Sequence, residues 1–224
     1  FSDSFTTPPF IETWKVLHHH LKTHEVAFME VSSHALQQNR VYSLEFDCTG
    51  WTSFSQDHLD YHSNMADYFS AKLLLLSHHH KKESKLFYPT SERELGKKIG
   101  KIPNVFTART LDSWKMRPKD PFFHAQFNAN NLELALEVNA AIWGDERLAQ
   151  AVDVDLLKRP PGRFNIIEHS GRIFVVDYAH TAEALENICL AIRASYPQKS
   201  LVVVFGCGGN RDRKKRPLIG KVAA

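Results

Sequence analysis

Cysteine is scarce in this chain, and the three present, Cys48, Cys189 and Cys207, fall at no metal-type spacing. An odd, scattered set excludes a disulfide-built secreted scaffold and fits a reducing cytosol. No apolar run approaches the roughly 20 residues that a membrane-spanning helix needs, and no charged-then-apolar leader opens the sequence. A dominant charge sign is missing too. Lys and Arg number 28 against 25 Asp and Glu, a formal net charge of +3. That imbalance is too small to argue for nucleic acid or a membrane surface as a partner. Neither GxxxxGK[ST] nor GxGxxG nor HExxH occurs. What is present is an ordinary globular composition, 43% hydrophobic and 24% charged over 224 residues, enough for one large or two medium domains. The sequence starts at Phe1 rather than Met and stops inside the helix-like "RPLIGKVAA". Both ends lead to the expectation of a piece of a longer chain.

Along the chain, residues 26–31 form a compact apolar run that reads as a central parallel strand. Residues 40–46 alternate apolar positions (Val41, Leu44, Phe46) and read as the next strand. Met65, Tyr68, Phe69, Lys72, Leu73 and Leu76 recur at helical spacing, which predicts a helix over 65–77. Residues 78–120 are basic and poorly periodic, with short strands and loops expected. A second helix is expected over 131–143, ended by Gly144. The prolines and glycine of "KRPPGRFNII" (158–167) mark a domain boundary. Beyond it "RIFVVDY" reads as a strand, Thr181 as a helix cap, and Leu185, Ile188, Cys189 and Ile192 as that helix's apolar face. "SLVVVFG" reads as another strand, so a parallel βαβ unit is expected there. The fold class is α/β.

Several residues could carry chemistry. Glu30 would sit at the carboxyl end of a buried strand, where α/β proteins bind ligands. A lone carboxylate plus phosphate oxygens suffices for magnesium, although pairing with a basic neighbour would explain it equally. "DHLDYH" offers Asp57, His58, Asp60 and His62. The two histidines are four apart, as a zinc site could use them, but surface or capping roles are also open. Lys72 lies inside an apolar stripe, where an ammonium is costly unless paired or altered. It could snorkel to water or, with a lowered pKa, take up carbon dioxide as a carbamate. Asp177 in "DYAH" would end a strand ahead of a helix N-terminus, a place for phosphate, ribose or metal-bound water, or a plain cap. The glycines of "GCGGNRDRKKR" (206–216) allow close backbone approach, and its arginines suit a carboxylate. A solvated basic face remains the alternative.

The stretches "TTPPF", "MEVSSHALQQNRV", "DHLDYHSNMADYFSAK", "FNANN", "RPPGRF", "DYAHTAEALEN" and "VFGCGGNRDRKKRPLIG" occur in this order from Thr6 to Gly220. Together they resemble the Mur ligases, and among these the members that add the third amino acid to a UDP-N-acetylmuramoyl dipeptide. The resemblance implies a parallel-sheet central ATPase domain over 1–163 and the start of a Rossmann-like C-terminal domain over 164–224. It implies an ATP-dependent ligase of peptidoglycan precursor synthesis in the bacterial cytoplasm, working through an acyl phosphate. ATP and magnesium would be its cofactors. The dipeptide and an amino acid (diaminopimelate or lysine) would be its partners, with no nucleic acid, no membrane and a monomeric state. By the same resemblance Thr6, Thr7, Ser32, Gln38 and Arg40 hold the dipeptide, and Arg211 grips the incoming amino acid. Glu30, His58 and a carbamylated Lys72 bind the metal. Asn128 and Asn131 face the adenine, and Arg163 and Asp177 contact ATP. Lys72, His58, Asp177 and His180 form the catalytic group. The sequence departs from the family at Ser53, where asparagine is usual, and at Ala182, where proline is usual. A phosphate loop is expected upstream of Phe1, and an amino-acid-selecting DNPR motif downstream.

Overall fold

Residues 6–207 and 215–224 are described by a computed structural model. The chain divides into two compact units, Phe1–Asp47 with His58–Ser84, and Cys48–Asp57 with Lys85–Ala224.

Among the described residues, the first unit holds the helices α1 (Phe10–His20), α2 (Ser33–Gln37) and α3 (Met65–His78). Each starts where its sequence supplies a cap or a proline. Pro9 precedes α1. The Ser32 hydroxyl accepts the Ala35 N–H ahead of α2. The Asn64 side chain accepts both the Ala66 and the Asp67 N–H ahead of α3. Such caps satisfy donors that have no partner within the helix. The α3 stripe packs as its spacing predicts, with Tyr68 and Ala71 buried and Lys72 half-buried beside them.

Two expected strands are corrected here. Residues 26–31 form no helix and join no ladder among the described residues, and Phe28 is 73% exposed. Residues 40–43 turn instead of extending, and the strand begins only at Phe46. An apolar or alternating run states a preference for burial, whereas a strand also needs a neighbour for its N–H and C=O groups.

Strands β1 (Phe46–Gly50) and β2 (His80–Tyr88) each start in the first unit and end in the second. In the second unit β2, α4 (Arg93–Ile99) and β3 (Val105–Thr107) form a parallel crossover with Leu86 opposite Val105 and Tyr88 opposite Thr107. The sheet order is β1-β2-β3. Gly96 lets α4 approach closely, since a Cβ there would come 2.8 Å from the Tyr88 hydroxyl. Helix α5 (Gln126–Trp143) begins five residues before its expected start and ends at Gly144. Its Leu132, Leu136 and Ala140 pack with Trp114, Met116, Val154 and with Ala149 of α6 (Glu146–Gln150). Each such large side chain contributes about 1.5–3 kcal/mol of apolar burial. Ala135 of the same helix is exposed. Glu133 and Glu137 are buried instead because both are satisfied. Glu137 accepts the Arg109 backbone N–H at 2.9 Å and its Nε at 2.6 Å, and Glu133 accepts the Leu111 N–H.

Past the proline-rich segment, β4 (Asn165–His169) and β5 (Arg172–Val176) make an antiparallel hairpin. Ser170 and Gly171 join them with φ of 49° and 73°, the two-residue turn whose twist suits a hairpin. Thr181 caps α7 (Ala182–Ser195), whose Ile188 is buried as expected. The last helix is α8 (Lys215–Ala223). The parallel βαβ unit expected here is corrected: β5 pairs with β4, and residues 201–207 form no strand. Val202 and Val204 are 83% and 94% exposed, with no ladder among the described residues to cover them. The parallel crossover lies instead at β2–α4–β3.

Candidate active site

In the first unit the substrate-side residues expected from sequence form one hydrogen-bonded group. Thr7 is fully buried. Its hydroxyl donates to the Glu30 carbonyl at 2.9 Å and accepts the Ser32 N–H at 3.1 Å. Arg40 donates from Nη1 to the Thr7 carbonyl at 3.0 Å and from Nε to the Gln38 side-chain oxygen at 2.9 Å. Gln38 in turn donates to the Tyr61 hydroxyl at 3.1 Å. Thr7, Ser32, Gln38 and Arg40 are thus linked around α2, with Ser32 capping its N-terminus, Gln38 at its C-terminus and Thr6 exposed next to Thr7. Sequence reasoning missed Tyr61. Only its place inside "DHLDYH" could have marked it.

The other expected residues of this unit lie on and around α3. The Lys72 ammonium sits 5.3 Å from the centroid of the Tyr68 ring. Burial lowers the lysine's pKa, and the Glu30 carboxylate pulls it back up. The same burial makes a neutral, nucleophilic amine more accessible. His58 adopts a left-handed backbone conformation, φ 57°, which is uncommon outside glycine and is often held at functional positions. Its ring lies 5.7 Å from Tyr68 and 4.9 Å from His34. Burial, with the neighbouring His58 and His62, lowers the pKa of His34. The zinc alternative finds no support, because no group of three or more His, Cys, Asp or Glu among the described residues could hold a metal. A magnesium set of Glu30, His58 and a carbamate on Lys72 is different, since its third donor is a modified lysine. Glu30 lies within electrostatic reach of the Lys72 nitrogen, so a carboxylate and a carbamate there would offer the oxygen donors that magnesium prefers, while His58 would offer a ring nitrogen.

In the second unit Asp177 is tied down twice. Its carboxylate accepts the Phe164 N–H and the Ala179 N–H, each at 2.7 Å. Arg163 stacks over the Tyr178 ring at 5.1 Å. Asn128 is buried and donates to the Phe122 carbonyl at 2.9 Å, while Asn131 is exposed on α5. Arg211 lies outside the described residues. His180 meets a residue that sequence reasoning left unassigned: its Nε2 lies 3.3 Å from Asp57, and the Lys215 ammonium lies 3.4 Å from the other Asp57 oxygen. Only the spacing of acids in "DHLDYH" could have drawn attention to Asp57.

The Asp57 carboxylate raises the pKa of His180 above its ordinary value, chiefly by hydrogen bonding. The link's contribution to stability is therefore complete below pH about 6.5 and fades as pH rises through the raised pKa. The thermal midpoint should fall over that rise, modestly because His180 is half-exposed. Asp57→Asn should flatten the fall. Equal slopes in the two proteins would show that the pair is not coupled.

Against known proteins, the family description of the Mur ligase middle domain matches residues 2–147, and that of the Mur ligase glutamate ligase domain matches residues 162–224. The chain belongs to the Mur ligase family. A UDP-N-acetylmuramoyl-L-alanyl-D-glutamate–2,6-diaminopimelate ligase of Aquifex aeolicus is 35% identical over 218 residues, covering 87% of this chain and 44% of that protein. The ligase of the same name from Anaplasma marginale is 33% identical and covers all of this chain and 51% of its own length. A solved structure of a ligase with this name superposes with a TM-score of 0.62 at 28% identity, over 97% of this chain and 50% of that one. This Mur ligase chain thus spans about half the length of the relatives it matches. Its mixed α/β architecture with a parallel central sheet agrees with the family.

Proposed function

We propose that the protein carrying this chain is an ATP-dependent ligase that joins an amino acid to UDP-N-acetylmuramoyl-L-alanyl-D-glutamate. The observation that carries the reading is Lys72: a half-buried amine, lowered in pKa and close to Glu30, where the family has a carbamylated lysine. The relatives' names favour 2,6-diaminopimelate over lysine as the incoming residue. Two functional domains would meet between residues 163 and 164.

The chemistry asks for positioning and charge neutralisation. A carboxylate is a poor electrophile, so ATP passes its γ-phosphoryl group to the dipeptide carboxylate, leaving ADP and an acyl phosphate. The incoming amine attacks the carbonyl carbon, loses a proton, and inorganic phosphate departs from the tetrahedral intermediate. Magnesium would neutralise phosphate charge as this happens. Glu30, His58 and the carbamate on Lys72 would hold it. Thr6, Thr7, Ser32, Gln38 and Arg40 would orient the dipeptide. Arg163, Asp177, Asn128 and Asn131 would serve ATP, His180 would stand beside them, and Arg211 would receive the amino acid's carboxylate.

A bacterial cytoplasmic location follows from that substrate. No described helix is long and apolar enough to cross a membrane. We propose a monomer that uses neither membrane nor nucleic acid. The deciding experiment follows phosphate release and amide product in the whole protein. Turnover should require ATP, the dipeptide and the amino acid together; ATP hydrolysis indifferent to both acceptors would overturn the reading.

A further inference from the structure

We infer that His62 is a positioning residue that sets the short helix α2, and with it the dipeptide-binding side chains at its two ends, through its bond to Ser33. The inference rests on the proposed ligase reading.

His62 is 1% exposed and so is Ser33. Its Nε2 lies 2.9 Å from the Ser33 hydroxyl, a bond between residues 29 positions apart. That is the ring's one hydrogen bond among the described residues, because Nδ1 has no partner and the Asp67 carboxylate stays 3.9 Å away. Around it stand aromatic rings: Tyr61 at 4.9 Å, Tyr68 at 5.1 Å and His34 at 5.5 Å between centroids. The His62 backbone donates to the His58 carbonyl at 2.8 Å, so the same turn carries His58 and aims His62.

A ring used only for packing needs no nitrogen in such a box. A single hydrogen bond inside a box of packed rings is directional. The contact falls on the first residue of α2, next to Ser32, which Thr7 holds from the other side. Asp67, His62 and Ser33 stand in the order of an acid–base–hydroxyl relay. However, the Ser33 hydroxyl is buried and no substrate atom could reach it. The arrangement therefore places a helix and makes no nucleophile. Through Tyr68 the same ring also backs the Lys72 ammonium.

The test uses the whole protein, with calorimetric binding of UDP-N-acetylmuramoyl-L-alanyl-D-glutamate beside steady-state kinetics. His62→Phe keeps the ring and removes the bond. It should weaken dipeptide binding and raise that KM about tenfold, the cost of one buried hydrogen bond, with kcat and the KM for ATP nearly unchanged. His62→Gln, whose amide can reach Ser33, should recover most of the affinity. Ser33→Ala should match His62→Phe, and combining the two should add little. Wild-type affinity in His62→Phe overturns the inference. So does equal loss in His62→Phe and His62→Gln alongside a lowered thermal midpoint, which would make the ring a packing element only. If the unaltered protein binds no dipeptide, the ligase reading fails and this inference with it.

Discussion

Lys72→Ala is expected to lower amide formation about a thousandfold or more, in line with removing a preorganised charged group from a reaction centre. The thermal midpoint should stay within a few degrees. Lys72 is half-buried beside the Tyr68 ring on α3, and alanine is the strongest helix former, so the fold loses little. The reaction loses an anion if the amine carries carbon dioxide as a carbamate, and that difference can be measured. Lys72→Arg keeps a cation but cannot form the carbamate, so it should be as inactive as the alanine variant. Short carboxylates added to Lys72→Ala should restore part of the rate. A carbonyl signal from protein equilibrated with labelled bicarbonate should vanish in both variants. Undiminished turnover in Lys72→Ala would remove the carbamate from the mechanism.

Phe164→Ala should be the most destabilising single change in the second unit, by about 3–5 kcal/mol. Phe164 is 1% exposed and packs with Phe122 and Ile188, its ring 6.0 Å from that of Phe127. It also has a left-handed backbone, φ 45°, costly for a bulky residue by roughly 1–2 kcal/mol. The Asp177 carboxylate grips its N–H and holds it there. Glycine adopts that conformation without the cost that alanine shares with phenylalanine. Phe164→Gly should therefore be no worse than Phe164→Ala, against the usual order of the two. Urea midpoints read both effects. A loss below about 1 kcal/mol in Phe164→Ala would mean that the site refills and Phe164 is no anchor.

Helices were easier to read in the sequence than strands, for a reason visible in particular residues. Helix α3 has its cap in Asn64 and its stripe in Tyr68 and Lys72, all within one local window. Helix α7 has Thr181 and Ile188. Helix α4 was missed because "RELGKKI" offers only Leu95 and Ile99 as buried positions and carries a glycine in its middle. Residues 26–31 and 201–207 have strand composition, but ladder partners are fixed far away in the chain and no local pattern names them. The site divides in the same way. The anomaly at Lys72 was visible as a charge on an apolar stripe. The resemblance to Mur ligases marked Thr7, Ser32, Gln38 and Arg40, and the structure assembles them. The contacts Gln38–Tyr61, His180–Asp57 and His62–Ser33 span 23, 123 and 29 positions. Each is a long-range pairing between polar residues that look unremarkable alone.

The apolar segment at residues 201–205 has a practical consequence for anyone handling this chain in isolation. Val202 and Val204 face water, and the segment's backbone joins no ladder among the described residues. Such a strip is adhesive: unpaired amides and a β-branched apolar surface are what one molecule needs to template the next. Stock solutions of the isolated chain should self-associate as concentration rises, at concentrations where most of the remaining surface is well solvated. Light scattering against dilution would then report on these five residues before it reports on any loss of the helices.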